Sequence, residues 1–458
     1  MLMILSSCLS ITDPSPAVCK WAEQNLVLDN PEYVRSVKVN IGRHTAGGLN
    51  IWSKKSKTYR FVPRYVCLYA KDGNTMYVPA GCISGLMAAL EGACPYVDVS
   101  RPVHARKTYA SVPLYAYQER AVTQCLQHIR SPLMPSGGVL VGPCGCGKTR
   151  MGLAAIGRTG VKTLWLTHTH VLLMQSYKAA AALFGEDGLS VTTDGKLDIG
   201  DRITFATVQT LDRMDLAELY DDWGLVVVDE CHHCVGDATQ VRMFAHVVGS
   251  LNCPKLGLTA TPDRADGLIP AMYALLGPQL AAVTAEDVRE RVVPIDYRAV
   301  NAYPDLDLSA CLTSQGTISS VKLVSQLCSD ENRNVLIADI VYDAPKPCLV
   351  LSSRLAHLDA LNALIPGSVL LKKDRESRAD VTLATYQLVG EGYDRPELRT
   401  VVLATPEGDP TRIRQAVGRV MRTAPGKMAG VVYDVVDRCD YRRWLKLARQ
   451  RAGIIAEL

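Results

Sequence analysis

The stretch VGPCGCGKTR, Val141 to Arg150, decides how this chain is read, and the rest of the sequence is placed outward from it. Gly142 to Thr149 has the spacing G-x-x-x-x-G-K-[ST]. A strand-like GGVLV precedes it and a helix-like RMGLAAIGR follows. In that context small residues let backbone N–H groups close around phosphate oxygens, and the following helix turns its positive end toward them. Gly142, Pro143, Cys144, Gly145, Cys146 and Gly147 would form the cradle, with Arg150 just beyond it. Lys148 is placed to reach the outer phosphates and the Thr149 hydroxyl to ligate Mg2+. The bland alternative is a glycine-rich turn that fits the spacing by chance, and the flanking elements argue against it. Cys144 and Cys146 suit the loop because they are small; a block of the loop by their oxidation is the sharper reading.

A phosphate loop needs an acid at the end of a later strand, and LVVVDECHHC supplies it. Leu225 to Val228 reads as a buried strand. It ends in Asp229, suited to hold Mg2+, and Glu230, suited to polarise an attacking water. Cys231, His232, His233 and Cys234 offer a competing zinc reading. Four consecutive residues cannot all face one tetrahedral ion, and no second ligand pair follows at finger-like spacing. His232 reads instead as a sensor of the nucleotide state or a link to the next motif. These groups together describe a nucleotide hydrolase.

Around these motifs, apolar runs such as KTLWLT, RITFAT and KLGLTATP alternate with helix-like segments such as VLLMQSYKAAAALF. That alternation predicts a parallel sheet flanked by helices. A second alternating series begins near residue 345 with PCLVLSS, VTLATYQ, TVVLATP and AGVVYDVVD. The fold class expected is α/β, two tandem parallel-sheet lobes behind a small α+β module. The boundaries read as 1–110 for the module, 111–290 for the first lobe and 291–458 for the second. VVPIDYRAVNAYPDLD, rich in Pro and Asp, reads as the joint between the lobes. The last helix, in DYRRWLKLARQRAG, is basic, with Arg442, Arg443, Lys446, Arg449 and Arg451 available to a duplex. A solvated face packed down by Trp444 and Leu447 is the equal alternative.

Composition bounds the function classes. Of 458 residues 48% are hydrophobic and 21% charged, ordinary for a folded chain, and the net charge of +4 permits a polyanion partner without requiring one. Fifteen Cys spread singly do not make a secreted disulfide framework. No apolar run reaches the length of a membrane span, and MLMILSSCLS lacks a basic flank, so the expected setting is cytoplasmic.

Asp-Glu-Cys-His is followed by LTATP (Leu258 to Pro262) and QAVGRVMR (Gln415 to Arg422). In that order, over about 110 to 440, the chain resembles the superfamily 2 helicases. The resemblance implies two RecA-like lobes and an enzyme that spends ATP with Mg2+ on moving along nucleic acid. LYAYQERAV then looks like the adenine-reading element, with Gln118 facing the base. Gln415, Arg419 and Arg422 look like the second lobe's catalytic helix; Arg419 and Arg422, three apart on one face, would act as arginine fingers. GEGYDRP brings Gly392 and Asp394 to the nucleotide. THTHVLLMQ and ITFATVQTL resemble strand-binding motifs of the first lobe and LVLSSRLAHLDAL and ATYQLVGEGYDRPEL those of the second. They offer Thr169, Thr207, Gln209, Thr210, Ser352, Arg354, Thr385 and Tyr386 to a strand, though each could equally cap or pack. Thr259 and Thr261 resemble the coupling motif.

LTATPDRADG and GEGYDRP look more like the DNA-repair and restriction-translocase branch than the RNA-directed branch. NPEYVRSVKVNIGR, PRYVCLYAKDG and YVPAG look like the front region of phage-type DNA helicases. There this chain has Pro79-Ala80-Gly81 where that group tends to have Pro-Arg-Gly. The resemblance therefore implies a DNA helicase or translocase working on single-stranded, forked or branched DNA, monomeric or weakly associating. An RNA helicase, and a non-unwinding translocase subunit that works with a partner nuclease, are the alternatives.

Overall fold

Strand runs that are apolar throughout are stable only where both faces of a sheet are covered, which is the condition of a parallel sheet under helices. The computed structural model meets that condition twice. It describes all residues except 1, 6, 39–42, 46, 54–57, 91–95, 99–106, 130–136, 144, 194–197, 261–266, 290–291, 314–315, 372–377, 391–392 and 394. Seven strands form one all-parallel sheet in the order Leu189–Thr192, Ile203–Thr207, Thr163–Thr167, Leu225–Asp229, Lys255–Thr259, Gly137–Val141, Gln279–Ala282. Every residue of its three central strands Thr163–Thr167, Leu225–Asp229 and Lys255–Thr259 is buried. Helices Lys148–Thr159, His170–Phe184 and Ala238–Gly249 accompany it.

The second all-parallel sheet has six strands, in the order Ile295–Ala302, Gly430–Asp437, Thr400–Leu403, Cys348–Ser352, Val381–Thr385, Ser368–Leu370. These are the two tandem parallel-sheet lobes that the alternating pattern implied, RecA-like as the resemblance implied. The chain divides into two compact units, Met1–Thr284 and Ala285–Leu458, one large sheet in each.

One expectation is corrected here. Ile295–Ala302 is not a joint but an edge strand of the second sheet, paired with Gly430–Asp437 over eight residues. Its mixture of Tyr, Arg and Asn with Val and Ala hid it, because an edge strand is only half covered and carries no continuous apolar run.

The front module is α+β. A five-stranded sheet runs Tyr96–Asp98, Leu2–Leu5, Cys8–Thr12, Thr75–Pro79, Ala70–Asp72, and two smaller antiparallel sheets accompany it. Met3, Leu5, Leu9, Ile11, Met76 and Val78 form its core with Val18 and Leu86 from its helices. The module is docked on the first lobe rather than free of it. Ala80 is buried in that core beside Ala274 of the helix Ile269–Leu276. A Cβ on Gly81 would come 2.5 Å from the Ala274 carbonyl oxygen. That packing explains Pro79-Ala80-Gly81, since an arginine at position 80 would have to bury its charge against a helix. Among the described residues no helix is long and apolar enough to cross a membrane.

Candidate nucleotide site

The strand Gly137–Val141 delivers the loop, and the helix beginning at Lys148 receives it. Gly145 and Gly147 have φ of 86° and 83°, in the left-handed region that favours glycine. Gly147 has a second reason to lack a side chain: a Cβ there would stand 2.5 Å from Gln118 Nε2. Lys148 is buried; its ammonium donates to the Gly142 carbonyl at 3.2 Å and stands 3.6 Å from Glu230 Oε1. Thr149 Oγ1 donates to Asp229 Oδ2 at 3.3 Å, and Ser176 Oγ donates to the same oxygen at 3.4 Å. The Glu230 amide donates to Asp229 Oδ1 at 3.0 Å.

These neighbours split the two acids. Burial, and then the Glu230 carboxylate beside it, push Asp229 upward against the pull of Lys148. Burial pushes Glu230 upward as well, but Lys148 and the imidazoles of His232, His233 and His168 outweigh it and hold Glu230 below the ordinary carboxylate range. Glu230 also has φ 47° and ψ 48°, left-handed backbone that a glutamate adopts only at a cost. That turn is what aims its carboxylate back at Lys148 while the strand ends at Asp229.

The histidines after Glu230 are organised by stacking and hydrogen bonds. His232 Nδ1 lies 2.9 Å from Thr259 Oγ1 and 3.5 Å from Glu230 Oε2, and both His232 and Thr259 are buried. The His233 ring stacks on that of His168 with centroids 4.2 Å apart. Cys231 donates to the Met272 sulfur at 3.3 Å. The His232 and His233 rings also pack on each other with centroids 4.0 Å apart, and among the described residues no group of three or more His, Cys, Asp and Glu stands ready for a metal. Mg2+ asks less of a protein, one or two oxygen ligands beside phosphate and water. The Thr149 hydroxyl and the Asp229 carboxylate, already in contact, fit that demand.

Gln118 is at the loop but not open toward a base. Its Nε2 donates to the Cys146 carbonyl at 2.8 Å and its Oε1 accepts from the Tyr115 amide at 3.0 Å. Tyr117 joins it, its hydroxyl donating to the same carbonyl at 3.2 Å. Arg150 donates to the Pro113 carbonyl at 2.8 Å, tying the helix to the segment before Gln118. Tyr117, Ser176 and His168 are site residues that the sequence did not mark; Tyr117 and His168 lie inside quoted motifs without a role assigned, and Ser176 lies just past one.

Of the strand-facing candidates, Thr169, Thr207 and Thr385 accept from the amides of Leu172, Thr210 and Leu388, so each caps the turn that follows it. Thr210 shares its hydroxyl with Thr207, and Gln209 donates to the His168 carbonyl. Ser352 and Tyr386 are buried, Tyr386 donating to the Thr405 carbonyl at 3.0 Å. A strand cannot touch either, which corrects that expectation. Ser352 instead starts an internal chain: its Oγ lies 3.0 Å from His357 Nδ1, and His357 Nε2 lies 2.9 Å from Asn334 Oδ1. Arg354 follows in the half-buried turn whose amide bonds to Ser352 Oγ.

In the second unit Gln415 is buried on the helix Pro410–Val420 and Arg419 donates to the Val389 carbonyl at 3.2 Å. Arg422 stands beyond the end of that helix, in an isolated bridge to Val292. The two arginines therefore do not share one helix face. Arg451 is not a surface group at all: 1% exposed, it bonds Asp434 at 2.9 Å and fixes the last helix to the sheet. Cys144, Thr261, Gly392 and Asp394 lie outside the described residues.

Residues 111–264 match the family described as type III restriction enzyme, res subunit. Several of the chain's relatives are named as helicases. It is 27% identical over 367 residues to a protein named DNA 3'-5' helicase XPB from Mycobacterium tuberculosis, covering 71% of this chain and 62% of that one. It is 25% identical to a probable helicase of an Escherichia phage, covering 74% and 73%. A putative ATP-dependent RNA helicase of Acanthamoeba polyphaga mimivirus is 24% identical over 66% of this chain and 60% of its own length. The matched region thus spans about three fifths of the first curated relatives.

Proposed function

We propose that this chain is an ATP-dependent DNA helicase or translocase acting on single-stranded, forked or branched DNA. The observation that carries the reading is the convergence of Lys148, Thr149, Asp229 and Glu230 at one phosphate loop. Loop amides at Gly145 and Gly147 and the helix N-terminus hold the phosphates of ATP. Lys148, held by one carbonyl and one carboxylate, trades those contacts for phosphate oxygens. Thr149 and Asp229 would hold Mg2+, which when bound offsets phosphate charge. Glu230, kept ionised by the ammonium of Lys148, orients and deprotonates the attacking water. The resemblance implies Arg419 and Arg422 as the further cations for the γ-phosphoryl group.

His232 links the acid to Thr259, at the end of the strand Lys255–Thr259, so a change at the phosphate is passed to the motif that the resemblance assigns to coupling. The names of the relatives support DNA as the strand, with the mimivirus relative keeping RNA as the rival. The test is displacement of a labelled strand from a forked DNA duplex. Separation that requires both ATP and Mg2+ supports the reading. Full separation without ATP, or none on any fork while ATP is consumed, removes the helicase part of it.

A further inference from the structure

The three-stranded sheet of the front module carries an open aromatic face. Thr58–Pro63 pairs with Gly48–Ser53, and Val62 and the opposite Leu49 are buried. Arg60, on the same side as Val62, bonds Glu32 of the helix Pro31–Lys38. Alternation sends Tyr59 and Phe61 to the other side, and there they are 54% and 50% exposed. The end of the Phe61 ring sits against Gly48: a Cβ on that glycine would meet two ring carbons at 2.7 Å. The bare glycine leaves room on the sheet for this half-exposed ring. At the end of the same sheet the Arg64 amide donates to Gly47 O at 2.8 Å, and its guanidinium lies 5.0 Å from the centre of the exposed Tyr65 ring.

Charge decides what such a face takes. Residues 31 to 71 carry nine Lys and Arg against the single acid Glu32. That excess is larger than the net +4 of the whole chain, so the rest of the chain is net acidic. Exposed aromatic rings within a basic segment are the pairing that binds unpaired bases by stacking and their phosphates by charge. We propose that Tyr59 and Phe61 form a stacking platform for single-stranded DNA, with Arg64 among the cations that hold its backbone. The proposal rests on the reading that this chain works on DNA, and it adds a strand site outside both parallel-sheet lobes.

The test measures binding of the full chain, without nucleotide, to a labelled oligothymidylate of about 16 nucleotides and to an abasic strand of equal length. Wild type is expected to prefer the strand with bases. Tyr59→Leu with Phe61→Leu should weaken oligothymidylate binding at least about tenfold, the size of one lost base stack, and erase the preference over the abasic strand. The salt dependence should stay, because the phosphate contacts stay. Phe61→Trp should keep the affinity, and an unchanged melting temperature shows the double variant is folded.

Equal binding by wild type and the double variant overturns the platform while leaving DNA as the substrate. A wild-type chain that binds no DNA overturns both readings. Self-association of wild type that the double variant dissolves gives the face to a second copy and also overturns the platform.

Discussion

Thr149 Oγ1 donates to Asp229 Oδ2 at 3.3 Å across eighty residues of sequence. A hydroxyl at the start of one helix and a carboxylate at the end of a strand meet because Gly137–Val141 and Leu225–Asp229 both flank the strand Lys255–Thr259. The parallel register puts the carboxyl ends of all three on one edge of the sheet, where ligands of open α/β sheets bind.

Glu230 is the water-activating group of this account. Glu230→Gln keeps the shape and removes the base, so binding of ATP and DNA should persist while turnover falls by about 10²-fold or more. Single-turnover hydrolysis measured beside nucleotide binding checks it; turnover near wild type would move the base elsewhere.

Arg422 stands past its helix end and Arg419 on it, so their contributions should be separable. Arg422→Ala should leave the affinity for ATP within about twofold and lower the DNA-stimulated rate by about 10³-fold, as loss of an arginine finger does. An unchanged rate takes Arg422 out of that role.

Arg451 and Asp434 are both buried and bonded to each other, with Tyr297 donating to Asp434 at 3.0 Å. Arg451→Ala leaves that carboxylate without its cation and should destabilise the second unit by about 3–5 kcal/mol. Urea unfolding reads this directly. A loss below about 1 kcal/mol, together with weaker DNA binding, would return Arg451 to the surface role that the basic sequence suggested.

His357 is held neutral in the interior: burial, with Arg333 adding to it, pushes its pKa down to about 3. The unfolded chain binds that proton near pH 6.5. Stability from the neutral ring is therefore full above about pH 6.5 and is lost as pH falls toward 3. At pH 5 the expected loss is about 2 kcal/mol. His357→Gln should show a correspondingly flatter fall in stability between pH 7 and 5, and parallel curves for the two proteins would contradict this.

Both parallel sheets and the phosphate loop were legible because each is local. A buried parallel strand is a short apolar run, and the loop is eight consecutive residues. Ile295–Ala302 was missed because its partner strand lies more than 120 residues away and, half covered, it carries Arg298 and Asn301 among its apolar residues. Ser352 and Tyr386 sit in motifs that resemble strand-binding ones, yet burial depends on what packs above them, and spacing does not carry that. Ser176 reaches Asp229 from a helix with no pattern of its own. Arg451 shows the same limit in reverse, since a basic helix reads alike whether an arginine meets solvent or a buried aspartate.

The most direct measurement is the steady-state ATPase rate of wild type and Lys148→Ala, without nucleic acid and then with single-stranded DNA, forked DNA and RNA of matched length. The account predicts stimulation of wild type by DNA, strongest with the fork, and no turnover by Lys148→Ala on any of them. DNA-stimulated turnover that survives in Lys148→Ala would contradict the phosphate site, and stimulation by RNA alone would contradict DNA as the substrate.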